Sequence, residues 1–221
     1  LNKLAIALKI TDELAEDAPA LASYVQAMAP VAFTHKINSA ILFGTGAGQF
    51  TGIVNSPFTV VVAKEAGQTA DTIETRNIVN MYSKMLPQSR ANAVWYINPM
   101  LEPHLRTLKD DNGNFIYLAS GSQLNNTPYA TLMGLPVVPL LGGMKEIGTK
   151  GDIIFADLSY FYSVKKSGGA KSAISAHVHF LSDISVMKWT FRIDGKCPFT
   201  KPVKAENGNY DMSAFVVLED R

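Results

Sequence analysis

The chain has 221 residues, is 47% hydrophobic and 18% charged, and carries a formal net charge of +1. This is the composition of one or two folded domains with a substantial core. It gives no electrostatic case for a dedicated nucleic-acid binder, and no window approaches the roughly 20 apolar residues of a membrane span.

Cys197 is the only cysteine, so no intrachain disulfide can form, and a reducing compartment fits. The first residue is Leu1, and the chain enters directly on a strand-like run with no signal-peptide pattern. Further sequence upstream, removed by processing or truncation, is therefore expected.

Leu4, Ile6, Leu8 and Ile10 alternate with small or charged residues, which predicts a strand with one buried face. Thr11, Asp12 and Glu13 open a short helix. A long helix is expected from an N-cap at Asp17 to Phe43, about 40 Å at 1.5 Å per residue. Its apolar stripe is read as Leu21, Val25, Met28 and Ala32, then Phe33, Ile37, Ala40 and Ile41, with a phase slip and kink at Pro30. Gly44 and Gly46 end it.

Thr59 to Ala63 reads as a short strand. A second helix is expected from Asp71, with Glu74 as a capping partner, until Pro87 stops it. Ala91 to Ile97 reads as a buried strand, and Asn98-Pro99 opens a third helix. Asp110 to Gly113 is a turn, followed by a strand to Leu118. Gly121 to Pro128 and Gly142 to Lys150 are loops around a strand pair pinned at Gly134. Asp152 to Ala156 is an apolar strand. Ile174 to Arg192 reads as one long extended ribbon, Asp194-Gly195 and Asn207-Gly208 as turns, and Ala214 to Leu218 as the closing strand. Strands and helices interleave without a βαβ rhythm, so the fold class is α+β.

The glycine-rich Gly44–Gly52 turn invites a phosphate-loop reading, and a nucleotide-binding enzyme is carried as a lower alternative. Gln49 and Thr51 stand where a dinucleotide fingerprint needs glycine, no Gly-Lys-Ser/Thr follows, and the turn comes after a helix. Helix termination is the preferred reading. His177, His179 and Asp183 would share one face if the strand there were regular, but no further His or Cys supports a metal. Asp152 and Asp157 sit five apart and point to opposite faces of a strand. His35 and His104 are isolated, and Lys165, Lys166 and Lys171 read as a solvated loop tip. No catalytic, cofactor or metal residue is assigned, and the chain is read as a non-enzyme.

The order of these segments resembles that of tailed-phage major capsid proteins with the Hong Kong 97 fold. The resemblance is carried by Lys9-Ile10-Thr11-Asp12-Glu13-Leu14, by Ile41-Leu42-Phe43-Gly44-Thr45-Gly46 and by Asn98-Pro99 before a helix ending at Lys109-Asp110. Further on it is carried by Leu132 to Val138, by Gly151 to Asp157 before Tyr160-Phe161-Tyr162, by Phe191 to Gly195 and by Ala214 to Leu218.

It implies a capsid subunit with a long spine helix in a peripheral domain and a mixed α/β axial domain. The peripheral domain would hold residues 1–55 and 177–209, and the axial domain residues 56–176 and the terminal strand in 210–221. The family's N-terminal arm and extended loop would lie before Leu1. The implied function is a self-assembling icosahedral shell enclosing phage DNA, built from pentamers and hexamers in the host cytoplasm. Scaffold, protease and portal are the implied partners, with nonspecific contact to packaged double-stranded DNA, no membrane and no cofactor. An encapsulin-type nanocompartment shares the fold and is the alternative.

Overall fold

The structure, a computed structural model, describes residues 1–17, 19–110, 112–119, 130–140 and 144–221, apart from some side chains within 15–22 and 176–180. In chain order the elements are β1 (Asn2–Thr11), α1 (Asp12–Asp17), α2 (Pro19–Phe43), β2 (Val60–Val62), α3 (Thr75–Lys84), β3 (Val94–Ile97) and α4 (Glu102–Thr107). Then come β4 (Tyr117–Leu118), β5 (Thr131–Leu132), β6 (Leu135–Pro139), β7 (Ile153–Ala156), β8 (Tyr162–Lys165) and β9 (Lys171–His179). The last are β10 (Ile184–Lys196), β11 (Val203–Lys204), β12 (Asp211–Met212) and β13 (Phe215–Leu218).

Two larger sheets organise the chain. In the first, β10 is central: β1 runs antiparallel along one edge, from Asn2 opposite Ile193 to Thr11 opposite Ile184. The other edge pairs with β9 and then β8. The period-2 pattern of β1 turns Leu4 and Ile6 to the face where their partners Phe191 and Trp189 stand. α2 lies across that face, its Ala29 and Phe33 buried against Trp189 with Val25 and Ile37 beside them. The Phe33 and Phe191 rings are 6.2 Å apart.

The expected stripe holds at Val25, Phe33, Ile37 and Ile41 and fails at Met28 and Ala32. Val25, Ala29, Phe33, Ile37 and Ile41 form one continuous apolar row, whereas Met28 and Ala32 are exposed. Four-residue spacing is maintained through Pro30, so the slip in phase does not exist, and α2 continues across that proline. The single helix capped at Asp17 is also corrected: Asp17 closes α1, and α2 begins at Pro19. Because so few residues are fully buried under α2, one of them carries much of the layer. Phe33→Ala is expected to cost about 3 kcal/mol in urea unfolding, against less than about 0.5 kcal/mol for the exposed Ala32→Ser.

The second sheet has strand order β2-β13-β7-β3-β6-β5-β4 and is mixed, with β13–β2 and β3–β6 parallel and the other pairs antiparallel. Its middle strands β7 and β13 are buried at every position, which is why both read as unbroken apolar runs. One face packs on α3 and α4 through Ile78, Met81, Leu101 and Leu105, with Trp95 stacked on Phe155 at 4.0 Å. The other face packs on Leu42, Ile53, Phe58 and Cys197.

Further expectations are corrected. Asp71 does not start α3: it has φ 57°, and the helix begins at Thr75, where Glu74 N–H donates to the Asn77 side chain at 2.9 Å. The Ile174 to Arg192 ribbon is two strands, β9 and β10, folded back through a 3-10 turn at Phe180–Ser182, with Asp183 at φ 49°. Alternating apolar residues run through both strands and so hide the reversal. Asp194-Gly195 is not a turn but part of β10; a side chain at Gly195 would meet the Phe161 ring at 2.8 Å, so close packing rather than φ selects glycine there.

Asn98 caps as read, accepting from Met100 N–H at 3.0 Å. The β5–β6 hairpin turns at Met133-Gly134, both with positive φ. Asn207-Gly208 lies in the turn joining β11 to β12.

Candidate functional site

The Gly44–Gly52 turn is where the two sheets meet. It follows α2, whose Leu42 is buried in the second core. Gly44 N–H donates to Ala40 O at 2.9 Å and Gly46 N–H to Phe50 O at 2.8 Å. Gly52 N–H donates to Gly44 O at 2.8 Å, and Ile53 and Val54 N–H reach back to the Ile41 and Leu42 carbonyls. Asn55 donates its side-chain amide to Phe43 O at 2.9 Å, so the last carbonyls of the helix are satisfied. Thr51 N–H donates to Gly195 O at 3.3 Å, tying the turn to β10.

Two glycines here are fixed by crowding. A Cβ on Gly44 would stand 2.2 Å from Phe50 O, and one on Gly52 would stand 2.4 Å from Gly44 N. A phosphate loop must turn free amides outward. In this turn the Gly44, Gly46 and Gly52 amides all point inward to backbone carbonyls. The geometry is that of a helix terminator and inter-sheet joint.

A second cluster lies at the edge of the second core. Asp152 and Arg221 are both fully buried, and the guanidinium meets both carboxylate oxygens, at 3.2 and 2.5 Å. Gly148 N–H donates to the same carboxylate at 3.0 Å, Arg221 also donates to Thr72 O, and Arg221 N–H donates to Gly148 O at 2.8 Å. The cluster pins the loop before β7 and the segment before α3 to the strand end after β13. Strand parity did place Asp152 and Asp157 apart: Asp157 instead accepts from Ser159 N–H at 3.0 Å. Burial, then the Asp157 charge, pushes the Tyr96 phenol up. Sequence reasoning missed Arg221 because its partner lies 69 positions away.

A third group was missed although its signal is local. Arg106 pairs with Glu102 at 2.8 Å, an i,i+4 pair on α4. Tyr117 donates to the same Glu102 oxygen at 3.0 Å. Burial first, then that acceptor, pushes the Tyr117 phenol up to about 12, and the Arg106 hydrogen bond holds Glu102 below the usual carboxylate range. The group links α4 to β4 at the far edge of the sheet.

The remaining candidates stay separate. His177 is exposed on β9, and the reversal before β10 removes Asp183 from the strand face that the metal reading required. His35 and His104 are exposed. Cys197 is buried, which pushes its thiol up and makes it a poor nucleophile. Lys165 and Lys171 belong to β8 and β9 rather than to a loop tip. The loop at 121–128 lies outside the described residues. Among the described residues no helix is long and apolar enough to cross a membrane.

Comparison with known proteins gives the arrangement a context. A comparison with the curated proteins finds no match. Among solved structures, the capsid of an empty GTA particle superposes with a TM-score of 0.73 at 20% identity, covering 99% of this chain and 72% of that one. The Microbacterium phage Oxtober96 structure gives 0.64 at 15% identity, covering 99% and 72%. Gordonia phage Cozz gives 0.61 at 13% identity, covering 98% and 69%. These likenesses establish the fold, a mixed α+β architecture of the Hong Kong 97 type. The family described as "Phage capsid family" matches residues 1–205, and the chain belongs to that family.

Proposed function

We propose that this chain is the repeating subunit of an icosahedral shell that encloses double-stranded DNA. Membership of the phage capsid family makes it a major capsid protein, a structural component of the virion shell. The observation that supports the rest is the division into two sheets with a crowded turn among the links between them, the build of a flat tile with a stiff joint. We assign α2, β1, β8, β9 and β10 to the peripheral domain, with α2 as its spine, and the second sheet with α3 and α4 to the axial domain. The reading from sequence put residues 56–176 in the axial domain; the pairing of β8 and β9 with β10 argues for moving that boundary to the start of β8.

Contacts between copies are of the heterologous head-to-tail kind that closes into pentamers and hexamers. The loops at 121–128 and 142–150 would lie at the ring axis. Scaffold, protease and portal are the partners such a shell needs, and assembly takes place in the host cytoplasm. The role is mechanical, without catalysis.

Native mass measurement and negative-stain microscopy of the full-length protein should show closed particles of uniform size. A protein that stays monomeric or dimeric under assembly conditions overturns the shell. Nuclease-protected DNA inside the particles supports the DNA-enclosing shell, and protein cargo in its place would favour the encapsulin-type compartment.

A further inference from the structure

Among the described residues, only one of the first sheet's two faces is covered. Leu4, Ile6, Trp189 and Phe191 face α2. The alternation of strand side chains therefore turns Lys3 and Lys9 of β1 and Lys188 and Arg192 of β10 to the opposite face. The register confirms the grouping: Lys3 stands opposite Arg192, Ala7 opposite Lys188 and Ala5 opposite Thr190, whose other neighbour is Lys171 of β9. All five cations are exposed, and among the described residues none of them forms an ion pair or a side-chain hydrogen bond. The only carboxylate on this face of the β10 register is Asp194, and it is engaged by the Asn2 side chain at 3.2 Å. A chain of net charge +1 thus gathers a quarter of its 20 cations on one face of a single sheet.

The residues between the cations are short. Ala5, Ala7, Ala173 and Thr190 leave a flat surface between Lys3, Lys188, Lys171 and Arg192, while Val164 and Tyr162 of β8 stand exposed at its end. From Lys3 to Lys9 the row is about 20 Å long at 3.3 Å per residue, and a duplex presents one phosphate charge per roughly 1.7 Å of its axis. The exposed ring on this face by register, Tyr162, stands beside Lys196 beyond the row, so no aromatic side chain lies between the five cations to stack successive unpaired bases, which favours a duplex over a single strand. Long, flexible cationic heads on a flat sheet reach phosphates and read no base edges.

We propose that this face of the first sheet, carrying Lys3, Lys9, Lys171, Lys188 and Arg192, is a sequence-independent binding surface for the phosphate backbone of double-stranded DNA. It rests on the shell reading and adds which surface of the subunit faces the packaged duplex.

The test uses full-length protein and a fluorescent 30-base-pair duplex, about five times as long as the row, with anisotropy measured across a NaCl series. The variant K3Q/K188Q/R192Q is compared with K64Q/K201Q/K204Q, which removes the same charge from exposed positions elsewhere. The face variant should flatten the slope of log Kd against log salt by about three and weaken binding at low salt at least about tenfold. The control should change affinity less than about twofold, and two unrelated duplexes should bind alike. Equal losses in both variants, or no binding by the unmodified protein at low salt, overturn the proposal. A face variant that leaves DNA binding unchanged but alters the oligomeric state also overturns it, and points to an acidic surface of a second copy. Microscopy separates the two levels: particles that form normally while the face variant binds DNA unchanged defeat this inference alone, whereas absence of particles in the unmodified protein defeats the shell reading.

Discussion

Asp152→Ala is expected to destabilise the protein by about 3–5 kcal/mol in chemical unfolding, because it strands a buried guanidinium. The Arg221 side chain has no exposed surface through which water could replace the carboxylate, and its remaining acceptor among the described residues is the carbonyl of Thr72. Arg221→Met should be comparably severe, since the Asp152 carboxylate would keep only the Gly148 amide. The informative variant is the double substitution Asp152→Leu/Arg221→Met. Removing both charges at once removes both desolvation penalties, so the double variant should be clearly more stable than either single one. Three unfolding curves and the unmodified reference close the cycle. If the double variant is as unstable as the sum of the singles, the pair is not a coupled unit and its pinning role is wrong.

The second large effect is expected at the joint. Gly44→Ala and Gly52→Ala should each cost about 3 kcal/mol or more, the upper range for overpacking, because the atoms a methyl would strike are backbone and cannot rotate away. Gly48→Ala is the contrast. It has φ 67° but nothing within 4 Å of a new Cβ, so only the left-handed strain of about 1–2 kcal/mol remains. Thermal melts of the three variants rank these costs. A turn that served a phosphate would reverse the pattern, with the outward-facing Gly48 the sensitive position and nucleotide raising the melting temperature.

Those two sites also mark what could be read from the chain alone. The glycine turn was legible because spacing excluded a phosphate loop and because glycines after an apolar helix have few other uses. Short-range rules also found the strand alternation at Leu4, Ile6 and Ile10, the Asn98 cap and the β5–β6 turn. What failed depended on distant partners. Asp194-Gly195 has the composition of a hairpin turn, yet it continues β10, where the Phe161 ring, just before β8, leaves no room for a side chain at Gly195. The α2 stripe was drawn through Met28, which is apolar but exposed, because nothing local distinguishes it from Ala29. The Asp152–Arg221 pair has no sequence signature at all, since neither residue type is unusual in its own neighbourhood. The reversal between β9 and β10 was hidden because the alternation continues on both sides of it.

The pairing of β1 with β10 has a consequence for synthesis. Asn2 finds its partner at Ile193, so β1 must wait until β10 has been made. At roughly 5–20 residues per second the wait is on the order of ten seconds or more, and no local contact shortens it. During that time Leu4 and Ile6 are displayed on an unpaired strand, the kind of edge that captures another chain. The second sheet waits longer for one of its middle strands: β3, β6 and β7 are made well before β10, but β13 is made after it. Ribosomal emergence therefore lets β1 pair with β10 before β13 enters between β2 and β7 to complete the second core. Subunits become competent to join neighbours only after both sheets have closed, which delays premature polymerisation on the ribosome.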